Sequence, residues 1–365
     1  MPARKTLSLV LVSVLLIPII SPSVAGEWTD DGWLTNLIGP ERMENGDEFG
    51  CHGFQGIDSI EENWVIEACK DYLVSHTNSS RWGKNPISFG IVGDYIDNKT
   101  ANALLDSGFL ITGDMIQSLP EGLTSFPRNG GTIEKNSANI QLLESAEEDS
   151  LVSIWWRARV DDIKVREDKD LISWLEDQEV WFTTWGEWYF HEISSSNIEV
   201  KVEENKIIIS NPISSTEWDV PGSVTIDIDG NILEVYNEKG EQFPDISATE
   251  RKLKQGWRTY ESGAFFTLMP GTSVEVTVDK NLNNVSYRPL GTFNNLDYAV
   301  TIVGHHTTNL FQWSSDFQES ILTFTWLVER PSEEEINWSL PLIALSVLIA
   351  VPIIVKRIVD MDEEE

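Results

Sequence analysis

The period of apolar and polar positions changes along this chain. After Asp58, the stretch SIEENWVIEACKDYL places Ile60, Trp64, Val65, Ala68, Cys69, Tyr72 and Leu73 on one helical stripe, with Ser59 and Glu62 spaced as a capping box. Residues 87–92 then read as a strand, 98–105 as a short helix and 109–112 as a second strand, a βαβ pattern. Residues 127–139 (PRNGGTIEKNSAN) have the composition of an exposed loop. Beyond them the period falls to two. Residues 150–160 are β-prone, 170–178 read as a short helix with Leu171, Trp174 and Leu175 inward, and the aromatic run 180–193 reads as a strand. Ile198, Val200 and Val202 alternate with charged residues and lead into Ile207 and Ile209 as a hairpin. Val224, Ile226 and Ile228 are expected to pair with Ile232, Val235 and Tyr236 through the Asp229-Gly230 turn. A third hairpin sets Val274, Val276 and Val278 against Val285 and Tyr287. Residues 298–303 and 321–328 supply two last strands, and Ser247 with Glu250 predicts a helix before Gly256. The expected fold is α+β, an α/β-like N-terminal part followed by an antiparallel β-sandwich-like part.

Two apolar runs frame this pattern. Arg4 and Lys5 precede an apolar stretch over 7–20, and Ser21, Ser23 and Ala25 follow, which predicts a secretory signal over 1–25 cleaved after Ala25. Residues 338–355, WSLPLIALSVLIAVPIIV, carry no charge and are closed by Lys356 and Arg357. Their 18 residues reach roughly 27 Å as a helix, which predicts one transmembrane helix with the basic pair inside. The expected organisation is therefore signal 1–25, mixed α/β part 26–126, linker 127–149, β-rich domain 150–330, spacer 331–337, span 338–355 and cytoplasmic tail 356–365. This layout of signal, ectodomain, span and basic pair resembles prokaryotic surface-anchored proteins, archaeal ones included. It implies a cell-membrane location with the bilayer and a cell-surface or membrane-complex protein as partners.

Charge narrows the function. The chain carries a net charge of −33, about −32 of it between residues 26 and 337. Such a field repels nucleic acid and attracts cations and basic partners, so nucleic-acid binding is excluded. The two cysteines, Cys51 and Cys69, lie in the exported part, where an even count favours one disulfide over a nucleophilic thiol or a metal site lacking CxxC spacing. Asn78, Asn98 and Asn284 head glycosylation sequons.

Candidate chemistry is sparse. Two expected strands run into Gly-Asp pairs, so a βαβ unit sets Asp94 and Asp114 at one carboxyl edge, where a divalent cation could be held and water activated. Trp181, Trp185 and Trp188 around Glu187 suggest an aromatic platform for carbohydrate with an acid beside it. Asp227, Asp229 and Asn231 look like the start of a calcium loop, but Gly230 stands fourth rather than sixth and a turn explains it better. His52 reads as a packed or exposed loop residue. His305 and His306 read as loop histidines, since neighbours on a regular strand point to opposite faces. No P-loop, GxSxG, HExxH or internal repeat occurs. The expectation is a surface protein that acts by binding or assembly, with a metal-dependent hydrolase using Asp94 and Asp114 as the alternative.

Overall fold

A seven-stranded, wholly parallel sheet organises the computed structural model, which describes residues 40–331 and 339–362 apart from 114, 117, 134–142, 159–168, 214–216, 283, 309, 311–312 and 314–315. The chain divides into two compact units, Met1–Pro331 and Ser332–Glu365. The first contains every sheet. It begins with helix α1 (Pro40–Asn45), strand β1 (Glu48–Phe54), helix α2 (Trp64–His76), β2 (Ser88–Phe89), α3 (Asn98–Asp106) and β3 (Ile111–Thr112). β2 and β3 pair in parallel on either side of α3, the βαβ unit that the pattern predicts. Helix α2 starts later than the capping signature suggests: Asn63 is its cap residue, and Asn63 Nδ2 donates to Ser59 O and to Thr100 Oγ1, both at 2.8 Å.

The parallel sheet is completed by distant parts of the chain. β4 (Ser150–Arg157), α4 (Lys169–Glu176) and β5 (Trp181–Phe182) precede helix α5 (Trp185–Ser196). β14 (Tyr298–Thr307) and β15 (Phe324–Arg330) return after the β-rich insertion, and the order is β3-β2-β1-β15-β14-β4, with β5 also on β14. The last two strands thus join the N-terminal sheet in parallel, not an antiparallel one. The physical reason is burial on both faces: every residue of β1 and β15 is buried, a pattern suited to a parallel sheet covered on both sides.

Strands with one wet face follow α5. β6 (Glu199–Glu203), β7 (Lys206–Asn211), β8 (Gly222–Ile228), β9 (Ile232–Asn237), β10 (Gly256–Tyr260), β11 (Gly263–Leu268), β12 (Thr272–Val278) and β13 (Val285–Pro289) form two antiparallel four-stranded sheets, β10-β11-β8-β13 and β6-β7-β12-β9. Ile207, Ile209, Val224, Ile226, Val274 and Val276 meet in their shared core. The β6–β7 hairpin forms with Glu204 in the left-handed region at the turn. The other two expected hairpins do not. β8 pairs with β11 and β13, β9 with β12, so Asp229-Gly230 carries the chain from one sheet to the other, as does the connection from β12 to β13. Alternation reports that a strand has one buried face; it does not report which strand lies beside it.

Two further elements differ. Residues 180–193 are not one aromatic strand: after β5 the chain turns into α5, whose cap residue Thr184 accepts a hydrogen bond from Glu187 N–H at 3.2 Å. Residues 248–249 form a turn and no helix follows Ser247. Asn294 Nδ2 bonds the carbonyls of Ser247, Ala248 and Glu250 at 3.1, 3.3 and 3.0 Å, which draws that segment into an irregular loop.

The second unit contains α6 (Ser339–Asp362). Among the described residues no helix is long and apolar enough to cross a membrane, which overturns the transmembrane helix expected over 338–355. The uncharged run, at about 27 Å, falls roughly two residues short of a 30 Å hydrocarbon core. The helix does not stop at the basic pair; it holds Pro352 and continues through Lys356, Arg357, Asp360 and Asp362. The signal expected over 1–25 lies outside the described residues.

Candidate functional site

At the carboxyl ends of β1, β15 and β14 the parallel ladders are broken twice, once on each side of β15. On β1, Cys51 pairs with Val328 and Gly53 with Glu329, which leaves His52 as an extra residue. On β14, Gly304 pairs with Trp326 and Thr307 with Val328, so His305 and His306 together oppose one residue. These are β-bulges, devices that re-aim a side chain at a strand end. His306 takes a φ of 52°, a left-handed conformation that suspends the alternation of side chains along the strand. Thr307 Oγ1 closes this bulge by donating to Gly304 O at 2.8 Å.

The result is a cluster of three histidines and one carboxylate. Glu329 Oε1 lies 2.9 Å from His306 Nδ1 and 3.9 Å from His52 Nδ1. The His52 ring lies 3.8 Å from that of His306 and 5.8 Å from that of His305, centroid to centroid. His52, His305 and Glu329 are buried, and the His306 side chain is 13 % exposed, so the cluster opens at His306. His52, His306 and Glu329 each offer one ligand atom, all within 4.8 Å of one another. Ligands bound at the 2.0–2.2 Å typical of zinc sit about 3.4 Å apart in a tetrahedron, and the observed separations bracket that spacing.

Local structure holds His52 from both sides. Cys51 is disulfide-bonded to Cys69 of α2, as the even cysteine count predicts. Gly53 takes a φ of 93°, and Gly90 N–H donates to Cys51 O at 2.7 Å. A Cβ at Gly90 would stand 2.3 Å from His52 Cδ2, so the imidazole rests on bare backbone that only glycine supplies.

The residues singled out from sequence lie elsewhere. Asp94 is exposed in the turn before α3, beyond the buried end of the strand; the residue that caps α3 is Asp97, which accepts from Thr100 N–H at 2.7 Å. Asp114 lies outside the described residues. Trp181, Trp185 and Trp188 are buried in a core with Phe190 and Trp218, between the parallel sheet and the insertion, and therefore do not form a sugar platform. Glu187 is 1 % exposed and accepts from Thr183 Oγ1 at 3.1 Å and Arg81 Nη2 at 3.0 Å, so it anchors α5. Asn78, Asn98 and Asn284 are all exposed. Asp227 accepts from Ser262 and Ser286 on the insertion's surface rather than opening a calcium loop.

A second set of buried charges, at the amino ends of the strands, is saturated. Arg42 makes a bidentate pair with Asp47, both bonds at 2.8 Å, and its remaining donors reach Phe317 O, Ser320 O and Leu322 O. Asp47 also accepts from Trp326 Nε1 at 2.7 Å. Glu48 accepts from Gly186 N–H at 2.8 Å, and burial raises its pKa. Every group here is committed to joining strands, helix α5 and the 317–322 segment, which identifies the set as structural.

Sequence reasoning read His52, His305 and His306 as loop histidines and gave Glu329 no role; the structure places His52 in β1 and the histidine pair in β14, at bulges. The signal that would have found them is glycine at the ends of apolar runs, Gly50 and Gly53 around Cys51-His52 and Gly304 before the histidine pair, since glycine within a strand pattern marks a bulge. Comparison with models of known families, with curated proteins and with solved structures returns no match.

Proposed function

We propose that this chain is an exported metal-binding protein in which His52, His306 and Glu329 hold one divalent transition-metal ion. The carrying observation is the convergence of their three ligand atoms within 4.8 Å at the ends of β15 and the two bulged strands beside it. Two imidazoles and a carboxylate suit zinc and other borderline cations; calcium and magnesium prefer all-oxygen shells. The position at the carboxyl edge of a parallel sheet is where open sheets carry ligands. The Cys51–Cys69 disulfide supports a location outside the reducing cytoplasm, and a net charge of −33 concentrates cations around the protein.

Three protein ligands leave a coordination position open, as in catalytic rather than structural zinc sites. A metal held there would supply an acidified water as nucleophile, so metal-dependent hydrolysis is the second reading, now carried by His52, His306 and Glu329 rather than by Asp94 and Asp114. Binding or assembly at the cell surface is the first, with the ion shaping or bridging the contact.

The test is metal analysis of the purified full chain after dialysis against zinc. One equivalent is expected in the parent, whereas His52→Ala and Glu329→Gln, each short of one ligand, bind more weakly and are expected to lose the ion on dialysis against buffer. A parent without stoichiometric metal, or variants that retain it, would overturn the proposal.

A further inference from the structure

The structure assigns the Cys51–Cys69 disulfide and Gly90 a shared task beyond stability: we infer that they position His52 as a metal ligand. The inference rests on the metal reading above. Cys51 directly precedes the extra residue of the β1 bulge, and its bond to Cys69 ties that point of the strand to α2. The sulfur itself is no ligand. Cys51, Cys69, Val65 and the ladder partner Val328 share the core on the α2 side, whereas Glu329, one residue on, points to the other face. The covalent link therefore acts through the backbone on one face while the imidazole it orients lies on the other.

Gly90 completes the seat. Its N–H bonds Cys51 O at 2.7 Å, and its missing side chain leaves the surface on which the His52 ring lies. A bulged residue has no regular ladder bond to set its direction. His52 is held instead by a disulfide before it, a left-handed glycine after it and a glycine beneath it. Outer supports of this kind fix the direction of a ligating imidazole, and their loss typically weakens metal affinity by about 10- to 100-fold.

The experiment measures zinc affinity of the full chain by competition with a chromophoric chelator, and coordination geometry from the visible absorption of bound Co²⁺. Cys51→Ala with Cys69→Ala, and separately Gly90→Ala, are expected to bind zinc about 10- to 100-fold more weakly and to shift the Co²⁺ bands, with circular dichroism unchanged. In a His52→Ala background the same substitutions should cause no further loss. Affinity within twofold of the parent overturns the positioning role, and so does an undiminished further loss without His52, which would mark a general structural effect. Should the disulfide-free chain fail to fold, Gly90→Ala decides by the same criteria, since it retains the disulfide. A parent that binds no zinc refutes the metal reading itself, a distinct outcome.

Discussion

His306 Nδ1 lies 2.9 Å from Glu329 Oε1 across the parallel pair β14 and β15, in a pairing that regular strand geometry would not produce. It arises because His306 stands at a φ of 52° inside a bulge, which turns it to the side where His305 and His52 also lie. In the proposed site these same two atoms are ligands of the ion. Zinc at a hundredfold excess over its dissociation constant is then expected to stabilise the chain by about 2.7 kcal/mol. Glu329→Gln should abolish that gain in denaturant unfolding. An equal gain in the variant would place the ion elsewhere.

Removing one partner of the buried Arg42–Asp47 pair leaves an uncompensated charge among otherwise satisfied groups. Asp47→Ala is expected to cost roughly 3–5 kcal/mol, because Trp326 Nε1 and Phe324 N–H also lose their acceptor. Urea midpoints of parent and variant check this; a shift equivalent to less than 1 kcal/mol would contradict the structural role (about 1 kcal/mol being an ordinary substitution).

Acid sensitivity should trace in part to His191. It is buried on α5 with Nε2 3.0 Å from Ser223 Oγ, and burial lowers its pKa from 6.5 to about 3. The folded chain keeps the ring neutral where the unfolded chain protonates it. Its contribution is therefore complete above pH 6.5 and is lost progressively as pH falls towards 3, at up to roughly 1.4 kcal/mol per pH unit. His191→Gln should flatten the fall in stability between pH 6.5 and pH 4.5 by up to one proton; an unaltered slope would show that other groups carry it.

The disulfide closes a loop with a sequence separation of 18. In the chain-entropy account such a closure contributes about 3 kcal/mol, so Cys51→Ala with Cys69→Ala should lower unfolding free energy by that order. Calorimetric or urea unfolding of the metal-free chain measures it without interference from the site.

Asp94→Asn should be silent. The residue is exposed in a turn, and surface changes of this kind stay within about 0.5 kcal/mol. A loss of zinc affinity in this variant would restore the strand-edge carboxylate as a ligand.

Local signals were legible wherever the cause is local. The βαβ unit at β2, α3 and β3, the β6–β7 hairpin, the one-sided strands of the insertion and the disulfide all follow from periodicity, turn residues or cysteine count. The α5 start was missed: 180–193 reads as a strand because its aromatic run has high β propensity, and the Thr184 cap is established by the structure. Partner choice was not legible. Val224 to Ile228 and Ile232 to Tyr236 alternate as a hairpin would, yet they face each other across the insertion's core.

By itself the sequence determined that this chain is strongly acidic, bears one disulfide pair and combines a βαβ region with strands wet on one face, because those properties reside in composition and in neighbours a few residues apart. Only the tertiary structure decided that β15 would lie between β1 and β14, bringing His52 to His306 and Glu329, both more than 250 residues further along the chain. Strand order is set by which buried faces fit, and side-chain direction at the strand ends by two bulges. Neither leaves a periodic trace in the chain, which is why the site appears only when the sheet is assembled.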